Sequence, residues 1–145
     1  YHLNQKINFT EVVENGIDAF KELIEMKSIS IAADIQPDVY VNLHPVLADI
    51  LFTNLLSNAI RHNQLNGSIS VSLSSSGLTV KNSGDPPKIR TTELFQRFKK
   101  GKQSGDSTGL GLAIVKQICE ASGFNVTYEF SVGKHILEIV FLPNT

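Results

Sequence analysis

Four groups of residues have the types and spacing to do chemistry. The first is Asn54, Asn58, Arg61 and His62. On a helix, Asn58 falls about 40° from Asn54, Arg61 returns close to Asn54, and His62 shares the same broad sector. One face then carries two carboxamides, a guanidinium and an imidazole. A carboxamide oxygen is a hard, uncharged ligand suited to Mg2+, and a guanidinium forks onto phosphate oxygens. The same row also fits a plain solvated helix face. The second group is the glycine-rich stretch 105–112 (GDSTGLGL). Gly109 and Gly111 open a helix there and leave its first backbone N–H groups accessible to an anion. Position 114 is Ile, so this is not a full dinucleotide G-x-G-x-x-G, and no G-K-[ST] follows to make a Walker A loop. Its plainer reading is a flexible loop before an ordinary helix.

The third group is 82–87 (NSGDPP), where Asn82 ends a strand and its carboxamide can hydrogen-bond the edge of a base. Gly84 and the prolines also suit a simple turn. The fourth is the basic cluster Arg97, Lys99, Lys100 and Lys102 around Phe95 and Phe98. It fits a lid over a polyphosphate, a nucleic-acid contact or a solvated cationic loop.

Regular elements must position these groups. Residues 10–26 are predicted as one amphipathic helix with Thr10 as N-cap and Val13, Ile17, Phe20 and Ile24 inward. Strands are expected at 28–33 and 39–41. His44 and Pro45 open the longest helical pattern, which runs to about His62. Asn66-Gly67 marks a turn, and 68–73 and 78–81 form a hairpin through a reversal at 74–77. Residues 83–108 carry glycines, prolines and cations with little apolar material, as a lid or binding loop does. A helix from Gly109 to about Ser122 and strands at 125–130 and 135–141 close the chain. The coarse order is αββαββ-lid-αββ, with helices able to cover one face of a mixed or antiparallel sheet.

Composition narrows the function classes. The 145 residues carry a net charge of -1, which argues against a general nucleic-acid or membrane-surface coat. Residues 1–80 hold 4 basic and 8 acidic side chains, whereas 81–145 hold 9 basic and 6 acidic. The positive surplus therefore sits with the lid. Cys119 is the single cysteine, so an intrachain disulfide and a multi-cysteine metal site are excluded. The chain starts at Tyr1 rather than Met, which reads as a fragment or processed piece.

The four groups occur together, in this order, in the ATP-binding catalytic domain of bacterial sensor histidine kinases, which the chain resembles over about residues 8–142. Residues 51–62 (LFTNLLSNAIRH) look like the family's N box and 80–84 (VKNSG) like its first glycine box. Residues 94–98 (LFQRF) look like the F box and 107–115 (STGLGLAIV) like the second glycine box. The resemblance implies an α/β fold of the α+β two-layer kind: a mixed, largely antiparallel sheet covered on one face by helices, as in the Bergerat-type ATP-binding fold. Gyrase-type topoisomerases, ninety-kilodalton heat-shock chaperones and mismatch-repair ATPases share that fold. It implies one catalytic domain over 1–145, with an ATP lid at about 85–108.

It also implies roles, residue by residue. Asn58 coordinates Mg2+ with Asn54 beside it, Arg61 meets phosphate, and His62 packs against adenine. Asn82 and Gly84 bind the base, while Arg97, Lys100, Ser107, Thr108, Gly109, Leu110, Gly111 and Leu112 complete the ATP site. Two positions depart from the pattern. Asn82 replaces the usual Asp, so its oxygen can still accept from the adenine amine but carries no charge and needs its orientation held. Pro86 replaces the box's second glycine, which stiffens the start of the lid.

The phosphoaccepting histidine of the family lies on a dimerisation hairpin, and no H-E-x-x-x-P segment occurs in this sequence. His2 lacks that context, and His44 and His135 read as structural or exposed. The activity implied is Mg2+-dependent phosphoryl transfer from ATP to a histidine on that hairpin, in two-component signalling through a response regulator. The parent is then a homodimer at the cell membrane with this domain in the cytoplasm. A non-catalytic nucleotide-binding or docking module of the same fold is the alternative. A hydrolysing ATPase needs a carboxylate base near the metal helix, and neither Asn54 nor Ile50 is acidic.

Overall fold

The computed structural model of the chain describes residues 5–87 and 108–141, with the backbone alone at 108–110. The elements run β1 (Gln5–Asn8), α1 (Phe9–Ala19), α2 (Lys21–Met26), β2 (Ser30–Ile35), β3 (Tyr40–Leu43) and α3 (Pro45–Arg61). They continue with β4 (Ser68–Ser74), β5 (Gly77–Ser83), α4 (Thr108–Ser122), β6 (Asn125–Ser131) and β7 (Lys134–Val140). Five strands form a mixed sheet in the order β2-β4-β5-β7-β6. β2 and β4 are parallel, and the other pairs are antiparallel. The parallel pair needs a crossover, which β3 and α3 supply. β1 and β3 make a separate two-stranded antiparallel ladder.

The helices cover one face of the five-stranded sheet. Leu51, Phe52, Leu55 and Leu56 of α3 join Leu112, Val115 and Ile118 of α4 over Val71, Val80, Leu137 and Ile139. The alternation read at 68–73 puts Ile69, Val71 and Leu73 into this layer and leaves Ser70, Ser72, Thr79, Lys81 and Glu138 on the other, polar face. Such alternation is what one dry face and one wet face require. Gly16 lets α1 lie on α3, because a Cβ there would come within 2.5 Å of the Phe52 ring. The two-layer, helix-covered mixed sheet expected from the sequence is the architecture found.

Three local expectations need correction. The 10–26 helix is two helices, broken at Phe20, whose φ of -99° and ψ of 7° leave the helical region. Its N-cap is Asn8, which accepts from the Glu11 N–H at 3.3 Å. Thr10 is buried instead. Its hydroxyl donates to the Gln36 carbonyl (2.7 Å) and accepts from the Val39 N–H (3.0 Å), tying α1 to the 36–39 turn. Strand β2 begins two residues later than read, because Ser28 and Ile29 finish α2. Ser28 takes φ 56°, and the N–H groups of Ser28 and Ile29 reach back to the carbonyls of Glu25 and Ile24. That is a Schellman ending with serine in the place usually taken by glycine. Strand β1 has no counterpart in the sequence reading. Gly123 ends α4 with the same motif.

Cys119 lies on the buried side of α4. Burial pushes its thiol up to about 12, against an ordinary value of 9.0; after burial, Lys116 pulls it down and Glu120 pushes it up. The expected result is no alkylation by iodoacetamide at pH 8 in the native state and full labelling in denaturant. The unfolded chain loses this proton first as pH rises. The thiol's contribution to stability is therefore intact below about pH 9 and declines toward pH 12. A thermal melt of Cys119→Ala should lose that part of the alkaline decline, and mass spectrometry reads the labelling.

Candidate functional site

The site begins with α3. His44 caps it by accepting the Val46 N–H on Nδ1 at 3.1 Å, and Pro45 occupies the first turn. Ala48, Leu51, Phe52, Leu55, Leu56, Ala59 and Ile60 are buried. That leaves Asn54 and Asn58 half-buried along the helix and His62 as its C-cap. Asn54 Nδ2 donates back to the Ile50 carbonyl at 2.9 Å. This bond fixes the carboxamide and turns its oxygen toward α4. A Cβ on Gly111 would lie 3.3 Å from that oxygen. The oxygen therefore lies against the first turns of a fifteen-residue helix, at its positive end.

A second wall comes from β5. Asn82 is 2% exposed and stands in register between Ile69 of β4 and His135 of β7. Its Nδ2 donates to the Ser83 carbonyl at 3.0 Å, which orients the amide. Ser83 Oγ donates to Asn63 Oδ1 (2.7 Å) and accepts from the Ser68 N–H (2.9 Å). Asn63 Nδ2 in turn donates to the Ser68 carbonyl at 2.9 Å. Gly67 fits beneath this network because a Cβ would fall 1.9 Å from Asn63 Oδ1. The connection from α3 to β4 is thus tied to the end of β5.

Gly84 closes the angle between these walls. A Cβ there would stand 2.5 Å from the His62 carbonyl oxygen and 3.0 Å from His135 Cδ2. Only glycine lets the C-cap of α3, the end of β5 and the start of β7 meet. His135 Nε2 lies 2.7 Å from the Asp85 carbonyl, and Nδ1 lies 2.6 Å from the Tyr128 hydroxyl.

The structure therefore brings Asn54, His62, Asn82, Gly84 and Gly111 to adjoining faces of α3, β5 and α4, with Asn58 one helical turn beyond Asn54. Arg61 is exposed at the last turn of α3. Thr108, Gly109 and Leu110 form the first turn of α4. Leu112 is 2% exposed, so its side chain packs in the core rather than facing a ligand. Arg97, Lys100 and Ser107 lie outside the described residues, as does most of the 85–108 lid. Sequence reasoning missed Asn63, Ser83, Tyr128 and His135. Asn63, just before Asn66-Gly67, and Ser83, inside the 82–87 stretch, were the two with a local turn signal.

The donor set can be tested against Mg2+. Among the described residues there is no group of three or more His, Cys, Asp or Glu that could hold a metal. The available ligands are carboxamide oxygens, with Asn54 already oriented. Mg2+ commonly takes only one or two protein ligands and completes its octahedron with phosphates and water. The residues present fit an ion that arrives with a nucleotide and do not form a dedicated metal cage.

Comparison with known proteins gives the family and the fold. The family model described as "Histidine kinase-, DNA gyrase B-, and HSP90-like ATPase" matches residues 43–144. The Heme sensor protein HssS of Staphylococcus aureus (strain Newman) is 32% identical over 146 residues, covering 97% of this chain and 32% of that protein. The chain thus spans about a third of the length of the relatives it matches. The nucleotide-free catalytic domain of histidine kinase ThkA superposes with a TM-score of 0.83 at 25% identity, covering 96% of this chain and 95% of that one. ThkA in complex with response regulator protein TrrA superposes at 0.77 with 22% identity, covering 95% and 41%.

Proposed function

Because the chain belongs to the family of histidine kinase-, DNA gyrase B- and HSP90-like ATPases, we propose that it binds ATP between α3, the first turn of α4 and the end of β5. Membership supports nucleotide binding, and the likeness to HssS and to the ThkA catalytic domain supports the sensor histidine kinase type. The reaction proposed is transfer of the γ-phosphoryl group to a histidine nitrogen on a helical hairpin outside this sequence. The observation that carries it is the meeting of a polar helix row, a glycine-opened helix N-terminus and a buried strand-end carboxamide on adjoining faces.

Each residue then has a task. Asn82, its amide held through Ser83, accepts from the exocyclic amine of adenine, and His62 packs beside the base. Gly84 lets the base approach backbone. Asn54 and Asn58 turn carboxamide oxygens toward the phosphates and would hold Mg2+, which when bound neutralises phosphate charge. Arg61 and the N–H groups at Thr108, Gly109, Leu110 and Gly111 stabilise negative charge, which is the dominant contribution in phosphoryl transfer. Arg97, Lys100 and Ser107 are proposed to act from the 85–108 lid. Any base that takes the histidine proton is assigned to the hairpin.

The parent is proposed to be a membrane-anchored homodimer with this domain in the cytoplasm, signalling to a response regulator. The likeness to the ThkA–TrrA complex supports that partner class. Among the described residues no helix is long and apolar enough to cross a membrane. The test is incubation of the domain with labelled ATP, Mg2+ and the parent's hairpin supplied in trans, followed by a search for acid-labile phosphohistidine. Labelled hairpin is expected. A folded domain that binds no ATP in calorimetry, with or without Mg2+, would replace this reading with a docking module of the same fold.

A further inference from the structure

His135 holds a position that the nucleotide-site motifs do not account for. It stands at the start of β7, opposite Asn82 on one side and Phe130 on the other. Its ring is half-buried between aromatic neighbours, with centroids 5.8 Å from Tyr128 and 4.9 Å from Phe130. Both ring nitrogens are engaged. The Asp85 carbonyl can only accept, so Nε2 must carry the hydrogen. A neutral imidazole then has a bare Nδ1, which accepts from the Tyr128 hydroxyl. Burial raises the Tyr128 phenol to about 12, which keeps it a donor through the ordinary pH range. The result is a directed chain from the Tyr128 hydroxyl through the imidazole to the Asp85 carbonyl.

The same ring closes off the side-chain space of Gly84, where a Cβ would stand 3.0 Å from Cδ2. His135 therefore fixes the backbone at 84–85, two to three residues beyond Asn82, from a strand that contributes none of the residues assigned to ATP. Gly84 N–H also reaches the Gly133 carbonyl at 3.3 Å, beside His135 in the chain. By contrast, Asn54, Asn58 and the start of α4 stand on other elements and do not depend on this tether.

We propose that His135 is a positioning residue for the base-reading half of the site, and that its grip on the 84–85 backbone sets the preference for adenine over guanine nucleotides. This rests on the ATP reading above. Adenine offers an amine where guanine has a carbonyl, so discrimination requires the Asn82 oxygen, and not its NH2, to face the base. Loosening 84–85 weakens the Ser83–Gly84 peptide's hold on the Asn82 amide. The amide can then flip and meet guanine equally well.

The test measures ATP, GTP and Mg2+-tripolyphosphate binding for the parent chain, His135→Ala, His135→Gln and Tyr128→Phe, with a thermal melt of each. In His135→Ala, ATP affinity should fall about tenfold, near the value of one hydrogen bond, and the ATP-over-GTP ratio should fall with it. Tripolyphosphate affinity should not change. His135→Gln should restore most of the ratio, because one end of its amide donates and the other accepts. Tyr128→Phe should give a smaller loss. Ring 15N shifts of His135 should report hydrogen on Nε2. An unchanged ATP-over-GTP ratio in His135→Ala overturns the inference. So does an equal loss for ATP and tripolyphosphate, which marks a general structural role, and so does a failure of Gln to restore. A folded parent chain that binds no ATP overturns the proposed function instead, so the two failures are distinct.

Discussion

Asn58→Ala is expected to abolish Mg2+-dependent ATP binding while leaving the thermal melt nearly unchanged. Asn58 lies half-buried on α3, outside the buried set that seats this helix on the sheet. Alanine forms helix better than asparagine by roughly half a kcal/mol, which offsets the small area lost. Stability should therefore stay level. Binding has no such compensation. Asn54 is pinned by its own back-bond to Ile50, so it cannot swing one turn along the helix to replace the missing oxygen. Losing one of the two carboxamides proposed to hold Mg2+ should cost at least about 3 kcal/mol, or more than about a hundredfold in affinity. Calorimetric titration with and without Mg2+ measures this. Retained affinity in Mg2+ would show that the metal assignment to Asn58 is wrong.

Gly84→Ala is expected to damage both stability and base binding. Its new Cβ would sit 2.5 Å from a backbone oxygen, that of His62, with the His135 ring at 3.0 Å on another side. The carbonyl cannot give way without unwinding the C-cap of α3, where the His62 N–H bonds the Asn58 and Ile60 carbonyls. The ring cannot give way without releasing Tyr128 and Asp85. Overpacking of this kind costs about 1–3 kcal/mol, and for a domain of this size, at about 2–4 °C per kcal/mol, that lowers the melt by roughly 2–12 °C. Whichever neighbour moves, the end of β5 moves with it, so ATP affinity should fall by more than about tenfold. Differential scanning fluorimetry and the same titration check the two effects. A wild-type melt with wild-type affinity would mean that the three elements do not meet as described.

The contrast between these two glycine and asparagine positions shows what was legible in the chain. Asn54, Asn58 and His62 could be read as one face because helical period is a local property. Their spacing along α3 is the same whatever α3 packs on. The β4–β5 hairpin was legible for the same reason, since strict alternation around a serine-and-glycine reversal leaves little choice of register. The β6–β7 reversal also reads locally, although Val132 takes φ 51° there and is an uncomfortable residue for that conformation.

Other features had no local signal. Strand β1 is four residues long and exists only because β3, some thirty-five residues later, gives it hydrogen-bond partners. Thr10 looked like a cap because threonine commonly caps helices. Its burial and its bonds to Gln36 and Val39 come from a turn that the helix meets only after folding. Asn63 and Ser83 join across twenty residues. His135 read only as structural or exposed, because its two partners, Tyr128 and Asp85, are brought to it by the β6–β7 pairing and by the exit of β5.

The amino-acid sequence by itself determined the polar row of α3, the glycine-opened start of α4, the strand-end Asn82 and the basic surplus between them. Residue type and short-range period suffice for each of these. Tertiary structure alone decided that Asn54 turns its oxygen to Gly111, that Gly84 is hemmed in by His62 and His135, and that His135 holds Asp85. Those contacts join residues far apart in the chain. They form only where burial of the shared core offsets the entropy of bringing distant segments together.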